Sequence, residues 1–391
     1  MKCLVTVILF FLWMVSFCSC RLLSEATGRR FNVLDYGADG NGKIDATPAF
    51  QKAWGDFCQA SEEMPTLVVP AGNTFLLKSV TFSGPCMSKN PHVLVEGTIV
   101  APDSFDSWDG DDDYENWIGF TAVFGLMVDG GGKFDGQGQA WWKACNALHF
   151  NKCNGLRLSN LHHVNSQRGH ISINACDDVQ LSNLQILAPD ESPNTDGIDI
   201  SGSNHVNIQD SFIGTGDDCI AINGFSTYIN VTGVKCGPGH GISIGSLGKD
   251  GAYETVEEVH VKSCALKGTQ NGVRIKTWEG GSGYVRKITF EDITFVNSEN
   301  PIIIDQQYNP NGIRGGPGIK ISDITYRNVH GSSADEVAIT LDCAGKAACT
   351  NIVMDNVNII SSNPGKQIRA SCNNAKGTAI SASPMVPCLS S

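Results

Sequence analysis

Charge is scarce in this chain, and nothing in it is strongly basic. Charged residues make up 17% of 391 positions, and the formal net charge is −12. Binding nucleic acid needs a face of clustered cations, so that class of partner is excluded. The 15 cysteines contain no C-x-x-C pair, which removes the commonest zinc spacing. Beyond the first 20 residues no apolar run reaches the length of a membrane span. Helical periodicity is almost missing as well. With 43 glycines and sparse charge, this excludes a helical bundle and a disordered chain alike.

What is present begins with Lys2, an apolar run at 4–15 and the small residues Ser16, Cys18, Ser19 and Cys20. That order is a secretory signal, so residues 1–20 are expected to be removed and 21–391 to form one domain. Cysteine usage agrees. Twelve cysteines follow residue 20, an even number suited to disulfides in an oxidising compartment. Cys219 with Cys236, Cys343 with Cys349 and Cys372 with Cys388 are local candidates. Asn230-Val231-Thr232 is the single N-x-S/T sequon, a candidate glycan site. Residues 45–57 place Pro48 in a first turn and Ala49, Phe50, Ala53, Trp54 and Phe57 at helical spacing. They read as a cap over the open end of a stack. The acidic run at 109–115 lacks the EF-hand pattern and reads as a solvated loop rather than a calcium site.

An internal repeat decides the fold class. Segments starting at Leu156, Val179, Val206, Ile229, Val259, Ile288, Ile319 and Ile352 share one pattern: apolar residues alternate with polar ones, a small polar or glycine kink follows, and alternation resumes. The intervals are 23, 27, 23, 30, 29, 31 and 33 residues. Strand-like alternation at such a period predicts stacked parallel β-coils, each completing its neighbour's core. The Asn or Asp at the kink is expected to form a side-chain ladder from coil to coil. Leucine-rich repeats fit poorly, because the intervals are irregular and each unit holds several strands.

The chemistry gathers between residues 194 and 276. The blocks are N-T-D-G at 194–197, G-T-G-D-D-C at 214–219, G-H-G at 239–241 and R-I-K at 274–276. They supply Asp196, Asp217, Asp218, His240, Arg274 and Lys276, spaced by about one coil each. Arg274 and Lys276 are two apart and share a strand face, with Ile275 turned inward. Gly214 and Gly216 predict a turn that brings both Asp217 and Asp218 to the surface. Taken singly, an Asp pair is ordinary solvated surface, a G-H-G an ordinary turn and an R-x-K an exposed strand face. Their joint occurrence in coil register points to one groove. Glycoside hydrolysis needs one protonated carboxyl and one ionised one. Crowding three carboxylates raises at least one pKa, a route to a resident acid. The two cations suit an acidic sugar.

These four blocks, in this order, resemble the signature of the polygalacturonases of glycoside hydrolase family 28, in their plant form. The likeness extends over nearly all of 21–391, including F-N-V-L-D-Y-G-A-D-G near the start and F-D-G-Q-G at 134–138. It implies an all-β, single-stranded right-handed parallel β-helix of the pectin-lyase-like kind with an N-terminal helical cap. It implies hydrolysis of α-1,4-linked galacturonan in pectin with inversion, by a secreted monomer acting in the cell wall without cofactor or metal. Asp217 would be the general acid, with Asp196 and Asp218 activating water and His240 tuning the acid. Arg274 and Lys276, with Asn194 and Tyr308, would bind the sugar. His170 and Arg168 are further candidates for the groove border. Inversion predicts an acid–base separation of roughly 6.5–9.5 Å, and the carboxylate cluster predicts an acidic optimum. The rival readings are a calcium-dependent pectin lyase with an arginine base and a non-catalytic wall-binding protein.

Overall fold

The computed structural model describes residues 28–104, 116–140, 142, 146–308, 317–345 and 348–390. The secretory signal and the acidic run at 109–115 lie outside the described residues. Strand after strand pairs in parallel with the strand one coil later. In the core Leu158 lies beside Leu181, Leu181 beside Ile208, Ile208 beside Val231 and Val231 beside Val261. On the opposite wall the ladder runs Leu148, Ile171, Ile198, Ile220, Ile242 and Val273. All of these side chains are essentially without exposure, and each contributes about 1.5–3 kcal/mol by leaving water. The result is a parallel β-helix that has, among the described residues, one sheet of 11 strands and a larger one of 23 strands folded at the kinks. It winds right-handed, the hand that parallel crossovers take.

The kinks are where the sequence placed them. Asn160, Asn183, Asp210, Asp292, Asn328 and Asn356 all have positive φ, a conformation that Asn and Asp tolerate better than other side chains. The expected ladder forms in the later coils: Asn356 donates to Asn328 at 3.0 Å and Asn328 to Asp292 at 3.1 Å. One register expectation is wrong. Ile288 pairs with Ile324, not Ile319, so the sixth interval is 36 residues and the next, Ile324 to Ile352, is 28. The cause is a second positive-φ corner at Asp323, five residues before Asn328, whose neighbourhood repeats the same alternation inside one coil.

The cap is helix α1, Thr47–Cys58, with Pro48 in its first turn and Ala49, Phe50, Ala53, Trp54 and Phe57 buried. Trp54 opens an aromatic column that continues through Phe82, Phe120 and Phe150 at centroid spacings of 5.0, 5.4 and 5.2 Å. Beside the three expected disulfides there is a fourth, Cys58–Cys86, which ties the end of α1 to a neighbouring loop. Cys153, Cys176 and Cys264 are buried free thiols, so the even count does not translate into full pairing. No helix among the described residues is long and apolar enough to cross a membrane.

Candidate active site

The groove lies where coil corners lead into the 11-stranded sheet. Four of its strands set the geometry: β1 (Ile198–Ser201), β2 (Ile220–Ile222), β3 (Ile242–Leu247) and β4 (Asn271–Thr277). Their inward isoleucines and valine fix the register, and the register stacks the corners that precede them. Backbone bonds tie one corner to the next: Gly197 N–H donates to Asp218 O at 2.8 Å, His240 N–H to Asp217 O at 2.7 Å, and Cys219 N–H to Gly241 O at 2.8 Å. Glycine is required at 216, where a Cβ would stand 2.1 Å from the Ser192 carbonyl oxygen. Behind the corner, the Cys219–Cys236 disulfide anchors the residue that follows Asp218.

Asp217 and Asp218, adjacent in sequence, have opposite surroundings. Asp217 Oδ1 accepts from His240 Nδ1 at 2.9 Å and from the Asp218 N–H at 2.8 Å. Its Oδ2 faces Asn194, whose amide lies at 3.4 Å. The Asp217 side chain keeps 18% of its surface open, against none for Asp218. The expectation that both carboxylates reach the surface is therefore wrong. The turn sends Asp218 under the strand face, where Arg274 Nη2 meets Oδ1 at 2.7 Å and Lys276 Nζ meets Oδ2 at 2.6 Å. Ser243 Oγ also donates to Oδ1 at 2.8 Å. Arg274 and Lys276 lie on the outward face of β4 with Ile275 in the core, as their spacing requires, yet are only 7% and 6% exposed. Tyr308 covers them, its ring centroid 5.9 Å from the Arg274 guanidinium carbon and 5.2 Å from Lys276 Nζ.

The carboxylates hold their protons unequally. Burial, then the charges of Asp199, Asp217 and Asp218, push Asp196 well above the usual carboxylate range. Burial pushes Asp217 up too, but the His240 hydrogen bond and charge, Lys276 and the Asp218 N–H outweigh it, leaving Asp217 lowered. Oxygens of Asp217 and Asp218 and a ring nitrogen of His240 lie within 4.8 Å of one another. That trio could ligate a metal by distance alone. Both oxygens of Asp218 already face cations, however, so a divalent ion would meet two positive charges there.

One carboxylate escaped the sequence reading. Asp199 sits on β1, with its Oδ2 against the backbone at Gly169, and burial followed by the Asp218 charge raises it to about 7. Its only signal is position: three residues after Asp196 and flanked by isoleucines, it looks like any outward polar residue of a strand. His170 belongs to the frame rather than the groove. It is fully buried, its backbone N–H donates to Asp196 O at 2.7 Å, and burial lowers its ring to about 4, so it is neutral. Arg168 is exposed on the same loop, close enough to lower Asp199.

Comparison with known proteins gives a consistent picture. The sequence model of glycosyl hydrolases family 28 matches residues 58–383. A probable polygalacturonase of Arabidopsis thaliana is 44% identical, covering 96% of this chain and 84% of the relative. A polygalacturonase of Persea americana is 42% identical over 88% of this chain and 76% of its own length. Among solved structures, the endo-xylogalacturonan hydrolase of Aspergillus tubingensis superposes with a TM-score of 0.77 at 26% identity, covering 90% of this chain and 97% of that one.

Proposed function

The chain belongs to glycosyl hydrolases family 28, and from that premise we propose that it cleaves α-1,4-galacturonosyl linkages of homogalacturonan by single-displacement, inverting hydrolysis. The observation that carries this reading is the juxtaposition of an open Asp217–His240 pair with the buried Asp218–Arg274–Lys276 cluster. Asp217 Oδ2, which the Asn194 amide approaches at 3.4 Å, would protonate the leaving glycosidic oxygen. Asp196, when ionised, would take a proton from the attacking water. Asp218, with both oxygens engaged by cations, would hold Arg274 and Lys276 in place and fix the water's other side. Those two cations, with Asn194 and Tyr308, would receive the carboxylate of the sugar at the scissile bond. Secretion and action in the plant cell wall complete the proposal, and the disulfides support it.

Catalysis draws on the tautomer in which Asp217 is protonated and Asp196 is not. The resting electrostatics favour the reverse, so the pH–rate profile will report the coupled pair rather than either residue. Leaving groups separate the roles. Asp217→Asn should lose about 10²–10⁴ in kcat on polygalacturonate and recover on a substrate whose leaving group needs no proton. Asp196→Asn should lose activity on both. Rescue of Asp196→Asn instead would exchange the two assignments. Unsaturated products abolished by chelator would replace hydrolysis with elimination altogether.

A further inference from the structure

The groove does not end at the catalytic corners. The corner column runs back through residues 188–189, 165, 136 and 101, linked by Ala188 N–H to Gly214 O, Asn165 N–H to Leu187 O, Gly136 N–H to Val164 O and Ala101 N–H to Asp135 O. In this earlier part lies a cleft of about 530 Å³ lined by Asp103, Asp135, Gln137, Gln139, Trp142 and Asn165, closed by Pro189. The F-D-G-Q-G corner at 134–138 supplies two of these residues. Parallel rungs are about 4.8 Å apart, so the corner of Asp135 stands roughly 14 Å along the axis from that of Asp217.

The chemistry of this cleft differs from that of the catalytic corners. No described lining residue is cationic. Lys133, on the strand that leads to this corner, is paired with Asp135 at 3.3 Å. Asp135 Oδ1 accepts from the Gln137 N–H at 3.2 Å, and the Gln137 amide is held by the Ala101 carbonyl. By contrast, Trp142 Nε1 is buried with no hydrogen-bond partner, a donor awaiting an acceptor. Cations collect at the other end, where Arg168, Arg274 and Lys276 surround the carboxylates. A galacturonate anion here would meet Asp103 and Asp135, and the described lining offers amides and an indole rather than a cation. Amides, an indole N–H and an aromatic face instead suit the hydroxyls and ring of an uncharged sugar.

We propose that this cleft is a distal subsite for an uncharged sugar unit of the polymer, so that the enzyme places an esterified or otherwise neutral unit at a fixed distance from the bond it cuts. The inference rests on the polygalacturonase reading. Saturated products from fully de-esterified polygalacturonate would establish that reading separately. The test of the subsite is the position of neutral units in products. Partially methyl-esterified oligogalacturonides would be digested and sequenced by mass spectrometry. Enrichment of esters at one position about three units from the new chain end supports the proposal. Random placement of esters, or enrichment of free carboxylates there, overturns it.

Gln139→Lys should erase the enrichment and raise kcat/KM on de-esterified oligomers about two- to fivefold, the size of one exposed ion pair. An unchanged product pattern in that variant overturns the assignment to this cleft. Calorimetric titration decides the matter without turnover. Wild type should bind esterified oligomers more tightly than Gln139→Lys does, and equal affinities overturn the proposal.

Discussion

Asp218 is where the charges of the site converge, and its ion pairs give it a structural part beside any part in the chemistry. Its carboxylate is wholly buried and neutralised by Arg274 and Lys276, themselves nearly covered. Removing the anion leaves two buried cations facing a neutral amide. Asp218→Asn should therefore lower stability by about 3–5 kcal/mol, read as a shift in urea midpoint, as well as lowering activity. A variant with wild-type stability would mean the cations escape to water more easily than their burial implies. Asp199 makes a prediction of different form. Its folded pKa is about 7, above the usual carboxylate range, so the folded state binds the proton more tightly. Its contribution is fully present below the unfolded pKa near 4 and is lost as pH rises through about 7. Asp199→Asn should remove that slope and, on the order of 2 kcal/mol after allowing for its partial opening to the groove, gain stability at pH 7 relative to pH 4. Parallel pH–stability curves for variant and wild type would refute this. Asp217 acts in the opposite sense: being lowered, it contributes stability above the ordinary carboxylate range that is lost on acidification.

At the scale of elements, the corner carrying Asp217 and Asp218 owes its shape to parts on either side of it. Gly216 lets it pass Ser192, whose hydroxyl lies 2.6 Å from that of Thr195, which in turn accepts from the Gly216 N–H at 3.1 Å. Cys219–Cys236 closes 17 residues of chain around it. Replacing both cysteines with alanine should cost about 3 kcal/mol and lower kcat more than it raises KM, because Asp217, the proposed acid, is displaced while Arg274 and Lys276 remain on β4. An increase in KM alone would place the effect in binding instead. The same elements show what the sequence made legible. Strand alternation and Asn kinks located the coils through Ile288, because outward and inward positions differ chemically. The Ile319 slip arose because two corners in one coil look alike. The four blocks named every residue that meets Asp217 and Asp218 through a side chain except Ser243, a small hydroxyl with no pattern of its own. Whether Asp218 points in or out was not readable, since it depends on a turn conformation and on which cations stand one and two coils away.

At the scale of the molecule, an elongated coil stack turns a linear sequence order into a linear groove, so a polymer meets residues in nearly the order in which the chain supplies them. That is why composition and spacing reached the architecture and the site together, while the charge gradient along the groove needed coordinates. The gradient also bears on how substrate arrives. The full sequence carries −12 and the proposed substrate is a polyanion, so at low salt the two repel at long range. The site's own pair on β4 is spent on Asp218 and nearly covered, and so does little steering. Raising ionic strength from about 0.01 to 0.1 M shortens the screening length from roughly 30 to 10 Å. This removes the repulsion but leaves the buried contacts almost untouched. kcat/KM on polygalacturonate should therefore rise over that range with kcat little changed, which initial rates at subsaturating substrate would measure. A fall would mean that exposed cations such as Arg168 dominate the approach, and that capture of the polymer begins on the loop beside Asp199 rather than at Arg274 and Lys276.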